Sequence, residues 1–423
     1  MGFRFEWNPY ADQPHNVAPR RERFKHHLQH AGAYVDLALS NLRKAAPVLA
    51  LYRRYRKKMY KQPVAVDSPF ALSVSPAEGR DEQVVGLLRE MNIQKTLVRI
   101  PSWQMRGLDR LEKIISLLHS EEREITAALL QNREDILYPR RWQHFVEEVF
   151  SRFKRFCSFF EIGHAWNRTK WGIWDHQEYL TLARPALSLA EKYEVKLVGP
   201  AVIDFEFHVY PPVLKNIPFD KVSSLLYVDR VGAPERRQFG WDTSRKLALL
   251  KAVVDGGAGK EQDLWITEVN WPLRGTGKYS PASGKPNVSE EEQADYLVRY
   301  YLFCAASGLV ERIYWWQLVA PGYGLVDSRQ KDWRRRPGFS AMKNMVSQLE
   351  GSTFLKKIPH PGGEFFAFRK QEKDFLVCWT SGEPFYHDLG REVAQVISRD
   401  GEEVSFTGSM LRIEPSPKYV FLE

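Results

Sequence analysis

Between residues 70 and 317 the sequence repeats one pattern eight times: a short apolar run, a polar end, then a stretch with amphipathic helical spacing. The runs fall at 70–74, 96–100, 125–130, 159–163, 195–203, 224–228, 264–269 and 312–317. Helical segments are expected at 83–91, 108–118, 142–156, 178–192, 243–255 and 291–307, with another at 337–349 after the last run. Most of the runs are apolar without alternation, as strands covered on both faces are. Eight such strands interleaved with helices predict an α/β fold, a closed (β/α)8 barrel.

A chain of 423 residues has room for more than that barrel. After Gly351 the pattern changes to short strand candidates at 365–368, 375–379, 392–398, 403–406 and 419–422, punctuated by turns such as Pro361-Gly362-Gly363 and Asp400-Gly401. This predicts three parts: a basic helical extension (1–62), the barrel (63–350) and an antiparallel β-domain, sandwich or sheet (351–423).

Charge separates the first part from the rest. Residues 1–62 hold 13 Lys and Arg against 4 Asp and Glu, a net of +9, which equals the net charge of the whole chain. The remainder is therefore neutral overall, which argues against a nucleic-acid enzyme with a basic groove. Pro47 is placed to open a helix at its first position. Val48, Tyr52, Tyr55 and Met59 share one face of it, flanked by Arg53, Arg54, Arg56, Lys57 and Lys58. Residues 47–61 thus have two readings: a helix packed on the protein body with a solvated basic side, or a peripheral contact with an anionic membrane.

Cys157, Cys304 and Cys378 are too dispersed for a disulfide framework or a zinc site. No basic lead precedes an apolar stretch at the N-terminus, and no run reaches the ~18 apolar residues of a membrane span. A protein of the cytoplasm, possessing no metal or organic cofactor, is the expectation.

In a (β/α)8 barrel the chemistry sits at the carboxyl ends of the strands. There the sequence places Arg99 and Trp103 (second strand), Asn132 (third), Glu161, His164 and Asn167 (fourth), Asp204 and Glu206 (fifth), Tyr227 and Asp229 (sixth), Glu268 and Trp271 (seventh), and Trp315 and Trp316 (eighth). Carboxylates recur at these ends and tryptophans crowd the same rim. An indole stacks on the C–H face of a sugar ring while polar side chains meet its hydroxyls, so the combination points to a carbohydrate partner.

Several of these segments carry a resemblance. Glu161-Ile162-Gly163 through Asn167 and Trp171 resembles the strand-four motif E-I-G-N-E-P-N of clan A glycoside hydrolases, above all the β-xylosidase and α-iduronidase family (family 39) with its bacterial exopolysaccharide-cluster members. Trp265-Ile266-Thr267-Glu268 is similar to the strand-seven motif whose Glu is the nucleophile. The resemblance implies that Glu268 attacks the sugar and Arg99 braces it. It further implies that Tyr227 orients it and that Trp315 or Trp316 lies under the ring. It covers the barrel and the β-rich tail, and leaves out residues 1–62.

One departure stands out. Where the family has Asn-Glu-Pro, this chain has His164-Ala165-Trp166, so the general acid/base position holds Ala165. A retaining glycosidase needs two carboxyl groups about 5–5.5 Å apart. Three readings follow: the acid is relocated, to His164, Asp204, Glu206 or Asp229; the leaving group is a phosphate that needs no proton; or the site binds glycan without turnover, as a scaffold protein in polysaccharide assembly. His164 and Glu161 are assigned either to sugar hydroxyls or to proton transfer.

Overall fold

The computed structural model describes residues 5–15, 18–281 and 285–423. A two-stranded hairpin, Trp7–Asn8 with Gln13–Pro14, comes first. Helices α1 (Arg20–Gln29) and α2 (Ala31–Lys58) follow. The barrel strands are then β1 (Phe70–Val74), β2 (Lys95–Pro101), β3 (Glu124–Leu130), β4 (Phe159–Ile162), β5 (Lys196–Ile203), β6 (Lys221–Leu225), β7 (Leu264–Val269) and β8 (Arg312–Trp315). They pair in parallel around a complete circle, with β8 closing on β1 through Ile313 opposite Phe70. The expected (β/α)8 barrel with a C-terminal antiparallel domain is what the chain forms.

Two apolar layers explain why the strands are continuous in hydrophobicity. Ala71, Leu97, Ala128, Phe159, Val198 and Trp265 fill the barrel interior. Their sequence neighbours, such as Leu72, Val98, Ala127, Phe160 and Ile266, face the helical shell. Strand β6 lies three residues earlier than its apolar pattern predicts. Ser223 and Ser224 interrupt that pattern because they are tied to β5: Ser223 Oγ accepts from the Ala201 amide (3.0 Å), and Ser224 Oγ donates to the Val202 carbonyl (3.2 Å). These bonds stitch the place where the β5–β6 register shifts between Gly199 and Val202.

The C-terminal part contributes six strands to one antiparallel sheet: β9 (Thr353–Ile358), β10 (Glu364–Lys370), β11 (Lys373–Trp379), β13 (Val393–Ile397), β14 (Glu403–Val404) and β16 (Lys418–Leu422). A second sheet pairs β12 (Phe385–Asp388) with β15 (Met410–Ile413). Alternation along β10 assigns its two faces. Phe366 and Phe368 join the large barrel-side core, and Phe365 and Ala367 join a small core with Leu411 and Ile413 of the second sheet. The seventh strand of the main sheet is Val64–Ala65, paired with β9, so the chain passes through this sheet before entering the barrel.

Helix α2 begins at Ala31 and runs through Pro47, so the proline does not open it. The helix is held along the barrel helix Thr243–Ala258. Tyr55 donates to the Asp255 carboxylate, Lys251 pairs with the same carboxylate, and Val48 lies over Gly256. Tyr52 sits 5.8 Å from Trp241, ring to ring. The aromatic stripe of 47–61 is therefore spent on the protein itself and is not available to a membrane. The apolar residues of the extension are divided between this docked face and an exposed one that carries Leu39, Leu42 and Leu49. Among the described residues no helix is long and apolar enough to cross a membrane.

A Cβ at Gly256 would meet Val48 Cγ2 at 2.8 Å. Gly256→Ala is therefore expected to lower stability by about 1–2 kcal/mol, overpacking outweighing the helix-propensity gain. Val48→Ala on that background should restore part of the loss. Chemical denaturation of the two single variants and the double variant measures the coupling; purely additive effects would contradict the packing.

Candidate active site

The carboxyl ends of the strands open into a cavity of about 650 Å³. Its floor carries Arg99 from β2, Glu268 from β7, and Trp316 just past β8. His164 and Ala165 follow β4, Tyr227 and Asp229 follow β6, and Asp204 follows β5. The N-terminal hairpin adds Ala11, Asp12 and Gln13 to the wall.

Glu268 is the centre of a closed set of contacts. One carboxylate oxygen accepts from Tyr227 Oη at 2.5 Å, and the other is ion-paired with Arg99. The guanidinium of Arg99 lies 3.3 Å from the Trp316 ring centre. The nitrogen that bonds Glu268 also lies 3.0 Å from His164 Nε2, and the other terminal nitrogen donates to Asp12 at 3.0 Å. His164 Nε2 is 3.5 Å from Glu268. Both oxygens of Glu268 are thus fixed while the group still borders an open cavity, which is the arrangement a positioned nucleophile needs.

Burial sets the protonation states. It raises the pKa of Glu268, against the lowering effect of Arg99 and Tyr227. It raises that of Asp12 as well, again opposed by Arg99. It lowers that of His164 well below the ordinary range, with Arg99 and Lys170 adding repulsion, so the imidazole is neutral. A neutral imidazole held this way offers hydrogen bonds rather than a labile proton. Glu161 lies deeper in the barrel, 1% exposed, and burial lifts its carboxyl to about 7.

Of the residues expected at the site, Arg99, His164, Asp204, Tyr227, Asp229, Glu268 and Trp316 line the cavity. Others do not. Trp271 and Trp315 stack on each other behind the strands, 6.0 Å between ring centres, and are fully buried. Neither can be a sugar platform. Asn132 caps the short helix Arg133–Leu137 by accepting from the Glu134 amide at 2.8 Å. Asn167 brackets the end of β5, bonding the amide and the carbonyl of Ile203, both at 2.9 Å. Glu206 turns to Arg168, which it shares with Asp204, and Trp103 packs beneath Phe5 and Trp7 of the N-terminal segment. Glu161 sits below the cavity. Each of these polar side chains stands at a strand end, where a cap or a bracket uses the same residue types as a sugar-binding site.

Sequence reasoning missed Asp12, Gln13, Lys170 and Tyr323, all of which line the cavity. Asn270, adjacent to the seventh-strand motif, also lines it and anchors the Trp316 carbonyl at 2.6 Å. Ala165 adopts a left-handed backbone (φ 43°) directly at the wall, with no side chain able to exchange a proton. Away from the cavity, His26 and His30 both meet Asp175 Oδ2, at 2.7 and 2.8 Å, and fasten α1 to the barrel. This is the one cluster among the described residues whose His and carboxylate ligand atoms converge closely enough for a metal ion.

No protein-family profile and no curated protein matches the sequence. Solved structures do match. A family 39 glycoside hydrolase from the gut symbiont Bacteroides cellulosilyticus WH2 superposes with a TM-score of 0.64 at 15% identity, over 84% of this chain and 81% of that one. A family 30 endoxylanase from Clostridium papyrosolvens C71 gives 0.58 at 12% identity, over 86% and 98%. A family 51 arabinofuranosidase from Xanthomonas axonopodis pv. citri gives 0.57 at 12% identity, over 86% and 98%. These neighbours are clan A glycoside hydrolases, and at such identities what is shared is the fold.

The raised pKa of Glu161 makes a stability prediction. Its folded value, about 7, exceeds the ordinary 4.5, so its favourable contribution is complete below 4.5 and is lost as pH rises through 7. Glu161→Gln should leave stability nearly unchanged at the acid end and raise it by about 3 kcal/mol at most above pH 7. Thermal or urea unfolding of both proteins across that window measures the difference, and a constant difference would mean Glu161 stays ionised in the fold.

Proposed function

We propose that the protein is a carbohydrate-active enzyme of the retaining glycosidase or transglycosylase type, acting on a glycan or glycan precursor such as a bacterial surface polysaccharide. The observation that carries this reading is Glu268: a carboxylate on the seventh strand of a glycosidase-like barrel, both oxygens held, at the wall of an open cavity that Trp316 also lines. Glu268 attacks the anomeric carbon and expels the leaving oxygen. Arg99 and Tyr227 keep the attacking carboxylate in one orientation and favour its ionised form against burial. Trp316 supports the sugar face, and His164, Asp204 and Asp229 offer partners to its hydroxyls. The cavity has the size of an ordinary small-ligand site, about 300–1,000 Å³.

Ala165 favours a second reading, a glycan-binding scaffold that has lost turnover. The two separate on one experiment. Activated aryl glycosides, whose leaving groups need little protonation, should be turned over by the wild type, and Glu268→Gln should lower the rate roughly 10³-fold or more. A 2-deoxy-2-fluoro glycosyl donor should leave a covalent sugar on Glu268, read by peptide mass spectrometry. Sugar binding with no turnover and no adduct would establish the scaffold instead.

A further inference from the structure

The structure holds a carboxyl group that the barrel motifs do not supply. The N-terminal hairpin folds across the mouth and is fastened there at several points. Trp7 meets Trp103 and Trp171 at 5.1 and 5.9 Å between ring centres. Gln13 donates to the Pro281 carbonyl (3.0 Å) and accepts from Lys170 (2.7 Å). Asn8 Oδ1 accepts from the amides of Tyr10 (3.0 Å) and Ala11 (3.3 Å), closing the turn that precedes Asp12. Asp12 itself takes a left-handed backbone (φ 51°), which aspartate tolerates better than most residues.

This turn delivers the Asp12 carboxyl to Arg99. One terminal nitrogen of the guanidinium bonds Asp12 and the other bonds Glu268. The two arms of one guanidinium thus join Asp12 to Glu268 at the cavity wall, and a retaining site needs two neighbouring carboxyl groups. The Asp12 side chain keeps 27% of its surface open, and both Asp12 and Ala165 border the same cavity.

The other candidate carboxylates are paired to cations that do not bind Glu268. Asp204 and Glu206 share Arg168. Asp229 accepts from the amides of Val231 and Gly232 and from Gln238, and pairs with Arg236 at 3.2 Å. His164 is held neutral.

We propose that Asp12, carried into the barrel mouth by the N-terminal hairpin, is the general acid/base of this site, replacing the group that Ala165 lacks. The inference rests on Glu268 being the nucleophile. In the first step a Glu268 oxygen bonds to the anomeric carbon as the bond to the leaving oxygen breaks, and the Asp12 carboxylic acid passes its proton to that oxygen. In the second step a water oxygen attacks the anomeric carbon, the bond to Glu268 breaks, and the water proton goes to the Asp12 carboxylate. The substrate class this implies is a glycoside with a poor, alcohol-type leaving group rather than a glycosyl phosphate. The net shift at Asp12 favours its protonated form, burial outweighing the opposing pull of Arg99.

Leaving-group dependence tests this. Phenyl and 2,4-dinitrophenyl glycosides of β-D-xylose and β-D-glucose are compared on wild type, Asp12→Asn, Asp12→Ala and Glu268→Gln, with folding of each variant checked by its melting temperature. Asp12→Asn should lower kcat/KM on the phenyl donors by about 10²–10⁴-fold and on the dinitrophenyl donors by under about tenfold. Azide should restore turnover of the dinitrophenyl donors by Asp12→Ala, with a glycosyl azide as product. An equal loss on both donors would make Asp12 a tether for Arg99, and faster turnover would make the hairpin an autoinhibitory plug; either overturns the proposal while leaving Glu268 as nucleophile. Inertness of the wild type to every donor, matched by Glu268→Gln, overturns the glycosidase reading and the role of Asp12 with it.

Discussion

The mouth of this barrel is organised by one cation. Arg99 is 9% exposed, so its charge has to be met inside the protein, and a buried charge without partners would be prohibitive. Its guanidinium meets that demand with the Trp316 face, the Glu268 and Asp12 carboxyl groups and the neutral imidazole of His164. Arg99, with Lys170 nearby, stands against two acidic groups in a space that burial makes poor at supporting charge. Burial raises the pKa of both carboxyl groups, the charge of Asp12 adds to the rise at Glu268, and Arg99 opposes it in each.

The scaffold serves this arrangement by keeping the barrel ends apart in function. The interior below the mouth is closed by Phe159, Trp265 and Tyr314, with Arg312 4.0 Å from the Trp265 ring. The helical shell and the C-terminal sheet absorb the outward faces of the strands, including Trp271 and Trp315, which the strand-end pattern made look functional. The extension is the part that crosses between these layers: α2 lies along the shell, α1 is pinned through Asp175, and the hairpin before them reaches the cavity.

Several elements could be read directly from the chain. The eight strands appear because each must bury both faces, and continuous apolar runs record that requirement locally. Glu268 and Arg99 were legible because a strand end fixes which way a residue faces. Tyr227 was legible for the same reason even though β6 ends earlier than its pattern indicates. Asn132 and Asn167 were misread because capping a helix and binding a hydroxyl call for the same amide. The stripe from Val48 to Met59 was visible as a stripe, but the surface that receives it, Gly256 and Asp255 with Lys251, is some two hundred residues away.

By itself the amino-acid sequence determined the barrel, the change to antiparallel strands after Gly351 and the carboxylate on the seventh strand. All of these are properties of a few adjacent residues, and local periodicity or a short motif is enough to express them. Only the tertiary structure decided which tryptophans line the cavity, which polar strand-end residues are spent on caps, and that Asp12 joins Glu268 on Arg99. Those outcomes depend on where distant segments come to rest, and a hairpin folding over a barrel mouth leaves no periodic trace in its own sequence.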